Sequence, residues 1–534
     1  MKKESVQNTV VDIASRRICL FDSSLIDKAN TTAVKVFHEP IKQGFCAEFD
    51  KPWEKEGAHV NIFFDGEKWR MYYMAGARID MERISKLDPE DTKAIQNVID
   101  ETILDGFKVC YMESKDGICW EKPNLHICEF QGSTENNIVL RKPVEFFVFK
   151  DNNPACKPNE RFKAIYNLGY TLYAMYSEDG LRFEEAGAIC QHGGTFDSLN
   201  TAYYDEENDR YVAYVRGMHR YDGKEYPDLE DQRELVYYLF PEFDKPESLK
   251  KYLPEYKEGE DKKKYDIRRD IRVMYSKDFK TWTRPKQISI AGNEDGKKEF
   301  YTNAIRVYPR APQYLVGFPN RYNDDREWDK SYDELCGAKA RKFRYGFQKR
   351  FGLAITDSLF ISSNDGEYFE VSDGAFLRPG VEREDGWLYG DSSIACGLVE
   401  TKNAIYGHKE YSLYCVEGHW GHKCRLMRYA IRLDGFVSYC AREEEKIITT
   451  KPFRFQGDKL FMNFSTSALG YVQVVLTDES GNRLQSAKVF GDDTDKEVWF
   501  VDENALKSWQ GKNVTMQIIV READVYSYRF ADCR

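Results

Sequence analysis

The chain has 534 residues, of which 42% are hydrophobic and 14% aromatic, and its formal net charge is -11 at pH 7. A chain of this length exceeds one ordinary hydrophobic core, so we expect a large repeat-built domain and a smaller second domain. The acidic charge argues against a nucleic-acid partner, because binding to phosphates requires a basic surface.

The beginning of the chain, MKKESVQNTVVDIASRRICLF, has no apolar run of the kind found in secretory leaders, and no later stretch is long and apolar enough to span a membrane. The thirteen cysteines are odd in number and form no CxxC pair. These patterns predict a cytoplasmic protein that does not contact membranes. They indicate no metal or cofactor, and they leave open a calcium ion in a central channel.

Two strand patterns recur along the first 440 residues or so. The first is strand, polar turn, strand, and it occurs five times: NIFFDGEKWRMYYMA, FFVFKDNNPACKPNERFKAIYN, TAYYDEENDRYVAYVRG, AIRVYPRAPQYLVGFPNR and GLVETKNAIYGHKEYSLYCVEG. The second contains Ser-x-Asp and then an aromatic residue, and it follows strands that end at Ser114, Ser177, Ser276 and Ser363. We interpret it as a hairpin over which the aromatic residue packs back. Together they predict about four strands per unit and five propeller blades.

Three insertions separate the repeats, at 88–105, 221–266 and 322–346, and the first has the apolar spacing of a short helix. These insertions either surround a functional site or are solvent-exposed segments that do not contribute to one. After residue 442 the pattern changes to evenly spaced alternating strands without helix signals, which is typical of a β-sandwich. The predicted fold is therefore all-β, with short helical insertions: a five-bladed β-propeller catalytic domain at 1–442 and a β-sandwich at 443–534.

Three acids precede the first hairpins of successive blades: Asp197 in TFDSLNTAYYD, Glu299 in KEFYTNAIRVY and Asp391 in LYGDSSIACGLVE. A single acid before a strand is usually a turn residue or a surface charge. The innermost strands of a propeller line its channel, however, so residues at their starts converge. Converging carboxylates suit glycoside hydrolysis, in which one acid protonates the leaving oxygen and another attacks or activates water. We assign Glu299 as general acid, with Asp197 or Asp391 as base or nucleophile.

Polar and aromatic residues near the inner strands are candidates for binding sugar hydroxyls and faces. They are Glu56, His59, Asn61, Asn137, Arg216, Tyr301, Trp387, Tyr389 and His419. The structural alternative is core packing for Trp387 and Tyr389, and a buried, satisfied histidine for His59 and His419.

The phrases VCYMESKDGICWEKPNL, ENNIVL, DRYVAYVRG and RYAIRLDGFVS, together with KPFRFQGDKLFMNFSTSALGYVQVVL, resemble the five-bladed β-propeller glycoside hydrolases of the family 32 and 43 group, specifically a "family 32 N-terminal-like" lineage. The resemblance covers nearly the whole chain and implies a propeller followed by a sandwich. The Asn-Asp-Pro-Asn, Arg-Asp-Pro and Glu-Cys motifs of fructosidases do not occur here.

These observations favour a glycosidase that removes terminal sugars from oligosaccharides or small glycosides, with a carbohydrate as its partner. One alternative is a glycoside phosphorylase, with Arg268, Arg269 and Arg272 as candidates for binding phosphate. Another is a carbohydrate-binding propeller without turnover. We expect the sandwich to be structural, and it could mediate a homodimer.

Overall fold

The computed structural model describes residues 10–54, 57–76, 87–88, 91, 93–94, 97–98, 106–141, 144–168, 171–220, 267–347, 349–383, 386–388, 391–418, 424–502 and 504–532. Within these ranges it contains 35 strands against three α-helices and two short 3-10 helices, which confirms the all-β prediction. The predicted helix at 88–105 falls largely outside the described residues, and the insertion at 221–266 falls wholly outside them.

The chain divides into two compact units. The terminal unit comprises Met1–Glu39, Val307–Tyr314 and Ile431–Arg534, and the central unit comprises Pro40–Arg306 and Leu315–Ala430. The predicted boundary between residues 442 and 443 falls inside the terminal unit. The sequence analysis did not anticipate that the first 39 residues would join that unit.

Three short strands open the terminal unit, and a fourth opens the central unit. They are β1 (Val11–Asp12), β2 (Ile18–Cys19), β3 (Val34–Phe37) and β4 (Ile41–Glu48).

Three four-stranded sheets follow in chain order, each built from consecutive strands. Sheet 1 contains β5 (Gly57–Phe64), β6 (Trp69–Ala75), β7 (Lys108–Ser114) and β8 (Ile138–Arg141). Sheet 2 contains β9 (Val144–Lys150), β10 (Phe162–Leu168), β11 (Thr171–Ser177) and β12 (Glu184–Cys190), with a 3-10 turn at Pro158–Glu160. Sheet 3 contains β13 (Thr201–Asp205), β14 (Arg210–Arg220), β15 (Ile267–Ser276) and β16 (Lys286–Gln287). Aromatic and β-branched residues dominate the middle strands of these sheets, where both faces are buried.

The next segment departs from this regular pattern. Its elements are β17 (Ser289–Ile290), β18 (Glu299–Phe300), β19 (Arg306–Val307), β20 (Leu315–Gly317), β21 (Asn320–Asn323), α1 (Lys330–Glu334), α2 (Ala338–Phe347), α3 (Lys349–Leu353), β22 (Ile355–Ser358), β23 (Ile361–Ser363) and β24 (Tyr368–Val371). The strands form two small sheets: 4a, in the order β18-β21-β22, and 4b, in the order β17-β24-β23-β20-β19. Two of the helices, α1 and α2, begin within the third predicted insertion, at 322–346, and α3 begins just after it, which agrees with short helical insertions.

Sheet 5 joins the two ends of the central unit. It contains β25 (Ser393–Ile394), β26 (Val399–Lys402), β27 (Lys409–Glu417) and β28 (Arg425–Arg432). The strand β4, from the start of the unit, pairs antiparallel with β28 and occupies the edge of this sheet.

The strands of the terminal unit form one ten-stranded sheet with β1, β2 and β3. They are β29 (Val437–Ala441), β30 (Lys446–Thr449), β31 (Phe453–Arg454), β32 (Lys459–Asp478), β33 (Arg483–Gln485), β34 (Asp492–Val498) and β35 (Val514–Ala531), with a 3-10 turn at Ala505–Ser508. Its two long strands, β32 and β35, pair along nearly their whole length and bury an apolar core on alternating positions.

The first predicted hairpin pattern is confirmed in sheets 1, 2, 3 and 5. The pairs β5 with β6, β9 with β10, β13 with β14, and β26 with β27 are antiparallel neighbours in register. The charged or polar turn in each phrase therefore connects the two strands, as expected from its composition.

The second predicted pattern forms a turn in four places, and in each the serine hydroxyl donates to the aspartate two residues later. In the first copy, the Ser114 hydroxyl donates to Asp116 at 2.9 Å and accepts from the Gly117 N–H at 2.9 Å. Asp116 then accepts two further backbone N–H groups. The aromatic residue does not simply fold back over its own hairpin, however. Trp120 packs edge-on against Tyr414 of sheet 5, with ring centroids 5.6 Å apart.

Contacts within the central unit link each sheet to the next. Tyrosine hydroxyls on β6 and β14 donate to turn carbonyls of the following sheet: Tyr72 to Gly180 at 2.7 Å, and Tyr214 to Gly366 at 2.9 Å. Tyr414 of β27 makes the same bond to Gly117 of sheet 1. Two further contacts join the remaining neighbours: Tyr211 donates to Asp151 at 2.8 Å, and Asn320 donates to Ser393 at 2.5 Å. These bonds join sheet 1 to sheet 2, sheet 2 to sheet 3, sheet 3 to sheet 4b, sheet 4a to sheet 5, and sheet 5 to sheet 1.

Candidate active site

Asp197 lies in the loop that enters β13, where the preceding Phe196 has a φ of 57°. Its side chain is 27% exposed and accepts a 2.7 Å hydrogen bond from the Thr195 hydroxyl. The Arg216 guanidinium lies 3.8 Å away. Burial acts to raise the pKa of Asp197, but Arg216, Thr195 and Arg269 outweigh it, so the net pKa is lowered. Asp197 is therefore a partly accessible carboxylate at neutral pH.

Glu299 opens β18 and is held by two arginines of β15. Its Oε2 lies 2.5 Å from Nη1 of Arg269 and accepts the Arg269 backbone N–H at 3.2 Å. Its Oε1 lies 3.4 Å from Nη1 of Arg268. Only 4% of the side chain is exposed. Both oxygens of Glu299 are thus bound by guanidinium groups of the protein itself.

Asp324 is an acidic residue that the sequence analysis did not select. It directly follows β21, in which Tyr322 pairs in register with Glu299. Burial and the negative charge of Glu299 raise the pKa of Asp324, while Arg269 and Arg350 act in the opposite direction. The signal in the sequence is weak, because the two adjacent acids of NRYNDDREW follow a short polar strand within the predicted insertion at 322–346.

Arg269 connects these three acids. It pairs with Glu299, and its charge acts on both Asp197 and Asp324. Its guanidinium lies over the Tyr322 ring at 4.4 Å, while Arg216 lies over the Tyr301 ring at 4.7 Å. The two tyrosine rings stack with centroids 5.7 Å apart. The structure therefore brings together Asp197, Glu299, Arg216 and Tyr301 from the predicted set and adds Asp324.

Asp391 belongs to a second charged cluster, at the start of sheet 5. Its side chain is 1% exposed, pairs with Arg383 at 2.6 Å and accepts backbone N–H groups from Trp387 and Gly418. Burial raises the pKa of Asp391 to about 6 against the opposing charge of Arg383, and Glu417 adds to the increase. Glu417 also faces Arg383, at 3.6 Å. This cluster connects to sheet 4a through the Asn320 to Ser393 bond.

The remaining predicted residues have varied surroundings. His59 forms an ion pair with Glu145, and both residues have positive φ angles at the start of adjacent sheets. Asn61 is fully buried and donates to the Val148 carbonyl at 2.8 Å. Asn137 is also buried, where it bonds to Trp53 at 2.7 Å. These bonds favour a structural role for Asn137, whereas Oδ1 of Asn61 has no hydrogen-bond partner among the described residues.

Trp387 is half-buried, with a φ of 63°. Its indole N–H donates to the Gly380 carbonyl at 2.9 Å. The ring also lines a cavity. Three predicted residues, Glu56, Tyr389 and His419, lie outside the described residues.

The arginines considered for phosphate all face carboxylates. Arg268 pairs with Asp325 as well as Glu299, Arg269 pairs with Glu299, and Arg272 pairs with Asp270 at 2.9 Å. In the part of the chain that the structure describes, no group of three or more His, Cys, Asp or Glu is arranged to hold a metal ion. No helix in the described ranges is long and apolar enough to cross a membrane.

No protein-family model and no curated protein sequence matches the chain. Solved structures show distant similarity. One described as a glycoside hydrolase has 12% identity and a TM-score of 0.39, covering 74% of this chain and 92% of its own. A family 43 arabinoxylan arabinofuranohydrolase from Bacillus subtilis has 10% identity and a TM-score of 0.35, covering 90% of this chain and 97% of its own. An N-acetylgalactosamine deacetylase from F. plautii has 11% identity and a TM-score of 0.35, covering 90% and 94%. Their descriptions name different reactions, and TM-scores this low assign no function to this chain.

Proposed function

We propose that the chain is a glycoside hydrolase whose catalytic domain is a five-bladed β-propeller formed by the central unit. The contacts that run from sheet 1 through sheet 5 and back to sheet 1 support this architecture, with sheets 4a and 4b together as one blade. The ten-stranded sheet of the terminal unit is the proposed β-sandwich.

The observation that carries the proposed activity is the pair Asp197 and Asp324. Their surroundings lower the pKa of Asp197 and raise the pKa of Asp324. Asp197 is therefore ionised under conditions in which Asp324 retains its proton more readily. Two carboxyl groups with separated pKa values are what acid and base catalysis at a glycosidic bond needs. Both groups interact with the same Arg269, which supports their placement in one site.

We assign the proton-donor role to Asp324 instead of Glu299. Asp324 donates a proton to the glycosidic oxygen as the bond to the anomeric carbon breaks, and Asp197 attacks that carbon or removes a proton from the attacking water. Glu299 stays between Arg268 and Arg269, where its charge helps Asp324 to keep its proton. We propose that Tyr301 contacts the sugar, and that Arg216 and Tyr322, which are buried, hold Tyr301 and the acids in place. Exo-action and the cytoplasmic location stay predictions.

The test is a screen of alkyl and nitrophenyl furanosides and pyranosides with the wild type, Asp197→Asn and Asp324→Asn. Asp197→Asn lowers kcat on any cleaved substrate by about 100-fold or more, since it removes the base or nucleophile. Asp324→Asn lowers kcat strongly for alkyl glycosides and weakly for nitrophenyl glycosides, because a nitrophenolate leaves without protonation. Asp373→Asn, at an exposed acid of the same unit, is the matched control.

Three outcomes contradict the proposal. Full activity in both variants removes Asp197 and Asp324 from catalysis. Release of a sugar 1-phosphate when phosphate is added identifies a phosphorylase. Sugar binding without cleavage of any glycoside in the screen identifies a binding propeller.

A further inference from the structure

A cavity of about 760 Å³ lies beside sheet 4a, against the segment at 375–381. Arg321 and Asn323 of β21 line it, whereas Tyr322 between them is in register with Glu299. Because side chains alternate along a strand, Arg321 and Asn323 lie on the opposite face of β21 from Tyr322 and Glu299. Thr356, in register with Tyr322, also lines the cavity. The cavity is nevertheless distinct from the candidate active site, because Asp197, Glu299 and Asp324 do not line it.

The charges lining the cavity are mainly positive. Three arginines, Arg321, Arg326 and Arg378, face one acid, Asp357. Both oxygens of Asp357 are engaged by Arg321, at 2.9 and 2.5 Å. Asp357 is therefore already paired, and more positive than negative side chains line this cleft in an otherwise acidic chain.

A buried arginine stands behind one wall. Arg341 of α2 is 1% exposed and donates to the carbonyls of Gly352, Ala354 and Trp387. The Trp387 ring itself lines the cavity. These bonds go to neutral acceptors, so the Arg341 charge adds to the positive potential on that side.

The lining also contains a neutral polar side chain. Asn323 of β21 lies on the cavity wall beside Arg321. Together with the Trp387 ring, the lining offers cationic donors, one amide and an aromatic face.

We propose that this cavity binds a sugar carrying an oxyanion, either the carboxylate of a uronic acid or a phosphate ester. Guanidinium groups match both oxyanions with two parallel hydrogen bonds. The Trp387 ring and the Asn323 amide suit the sugar face and a hydroxyl. The sugar part of this inference rests on the proposed function, whereas the charge of the ligand rests on the cavity alone.

Isothermal titration of the full chain tests this inference without relying on turnover. The probes are glucuronate, galacturonate, glucose 6-phosphate, glucose and inorganic phosphate. We expect at least one acidic sugar to bind about tenfold or more tightly than glucose, with an affinity that falls as salt increases. Arg326→Gln and Arg378→Gln, both at exposed positions, each weaken that binding about tenfold. Arg483→Gln, at an exposed arginine of the terminal unit, leaves it unchanged.

The pattern of binding identifies the ligand. Preference for a uronate or for glucose 6-phosphate identifies the oxyanion. Equal binding of glucose, equal binding of inorganic phosphate, or unchanged binding in both arginine variants overturns the inference. If glycosides are cleaved but acidic sugars do not bind, only this inference fails. If acidic sugars bind in the cavity but no glycoside is cleaved, only the proposed hydrolase function fails.

Discussion

Arg269 organises the candidate active site because one guanidinium interacts with three acids in different surroundings. It neutralises Glu299 directly, and its charge stabilises the ionised forms of Asp197 and Asp324. Burial and the charge of Glu299 still dominate at Asp324, so the pKa of that residue stays raised. The distinction between a proton donor and a base here depends on the neighbours of each carboxyl group, since both residues are aspartates.

The proposed role of Asp324 predicts a change in pH dependence. A donor with a raised pKa is active while protonated, so kcat/KM falls as pH rises through that pKa. Arg350 lowers the pKa of Asp324 by favouring its charged form. Arg350→Gln therefore raises that pKa and moves the alkaline limb of the kcat/KM profile to higher pH. Lys349→Gln, on the same short helix, is the control. An unmoved limb in Arg350→Gln contradicts the assignment.

The Ser-x-Asp turns stabilise their own hairpin and also form a contact with a neighbouring sheet. In each turn the aspartate organises its own backbone, and in three of them a glycine carbonyl accepts from a tyrosine of another sheet. Gly366 has a φ of 79°, and a Cβ added there would lie 2.8 Å from the Tyr214 hydroxyl. The glycine therefore serves both the turn and the approach of the neighbouring sheet.

Gly366→Ala tests this double role. The positive φ costs about 1 kcal/mol, and the contact with Tyr214 adds about 1–3 kcal/mol. Gly374→Ala is a matched control, because Gly374 has a φ of 99° with nothing within 4 Å of an added Cβ. We expect urea unfolding to show a larger loss for Gly366→Ala than for Gly374→Ala. Equal losses show that the sheet contact contributes nothing.

The sequence was sufficient to predict elements that have a local sequence signal. It was insufficient to predict features that depend on pairing between strands far apart in the chain. Alternation and turn residues predicted the β13–β14 hairpin and the strand that ends at Ser114. They also selected Asp197 and Glu299. Asp324 was missed because its significance comes from Glu299, which lies across a strand pair in β18. The pairing of β4 with β28 was missed for the same reason, since nothing local to β4 identifies its partner.

At the scale of the whole molecule, segments far apart in sequence complete both units. In the terminal unit, the Phe21 ring packs edge-on against Tyr308, Tyr314 and Phe436, with centroids 5.2, 5.5 and 6.2 Å apart. Three separate segments of the chain thus meet at one side chain. The stability of this unit depends on its first 39 residues as well as on its C-terminal strands.

Phe21→Ala tests that dependence. Phe21 is 1% exposed, so its truncation leaves a cavity and costs about 3–5 kcal/mol. Phe490→Ala, at a residue 72% exposed in the same unit, stays within about 0.5 kcal/mol of the wild type. Chemical denaturation of both variants measures the difference. A small effect of Phe21→Ala contradicts a shared core for these segments.

The position of β4 has a consequence for synthesis on the ribosome. The strand emerges early, but β28, its only pairing partner among the described strands, is made several hundred residues later. At about 5–20 residues per second, β4 waits for roughly tens of seconds. Its Ile41 and Phe45 side chains, 70% and 63% exposed even after folding, are available during that interval to other nascent chains. The yield of folded protein therefore depends on translation rate and on chaperones that cover this strand, in addition to the stability of the finished structure.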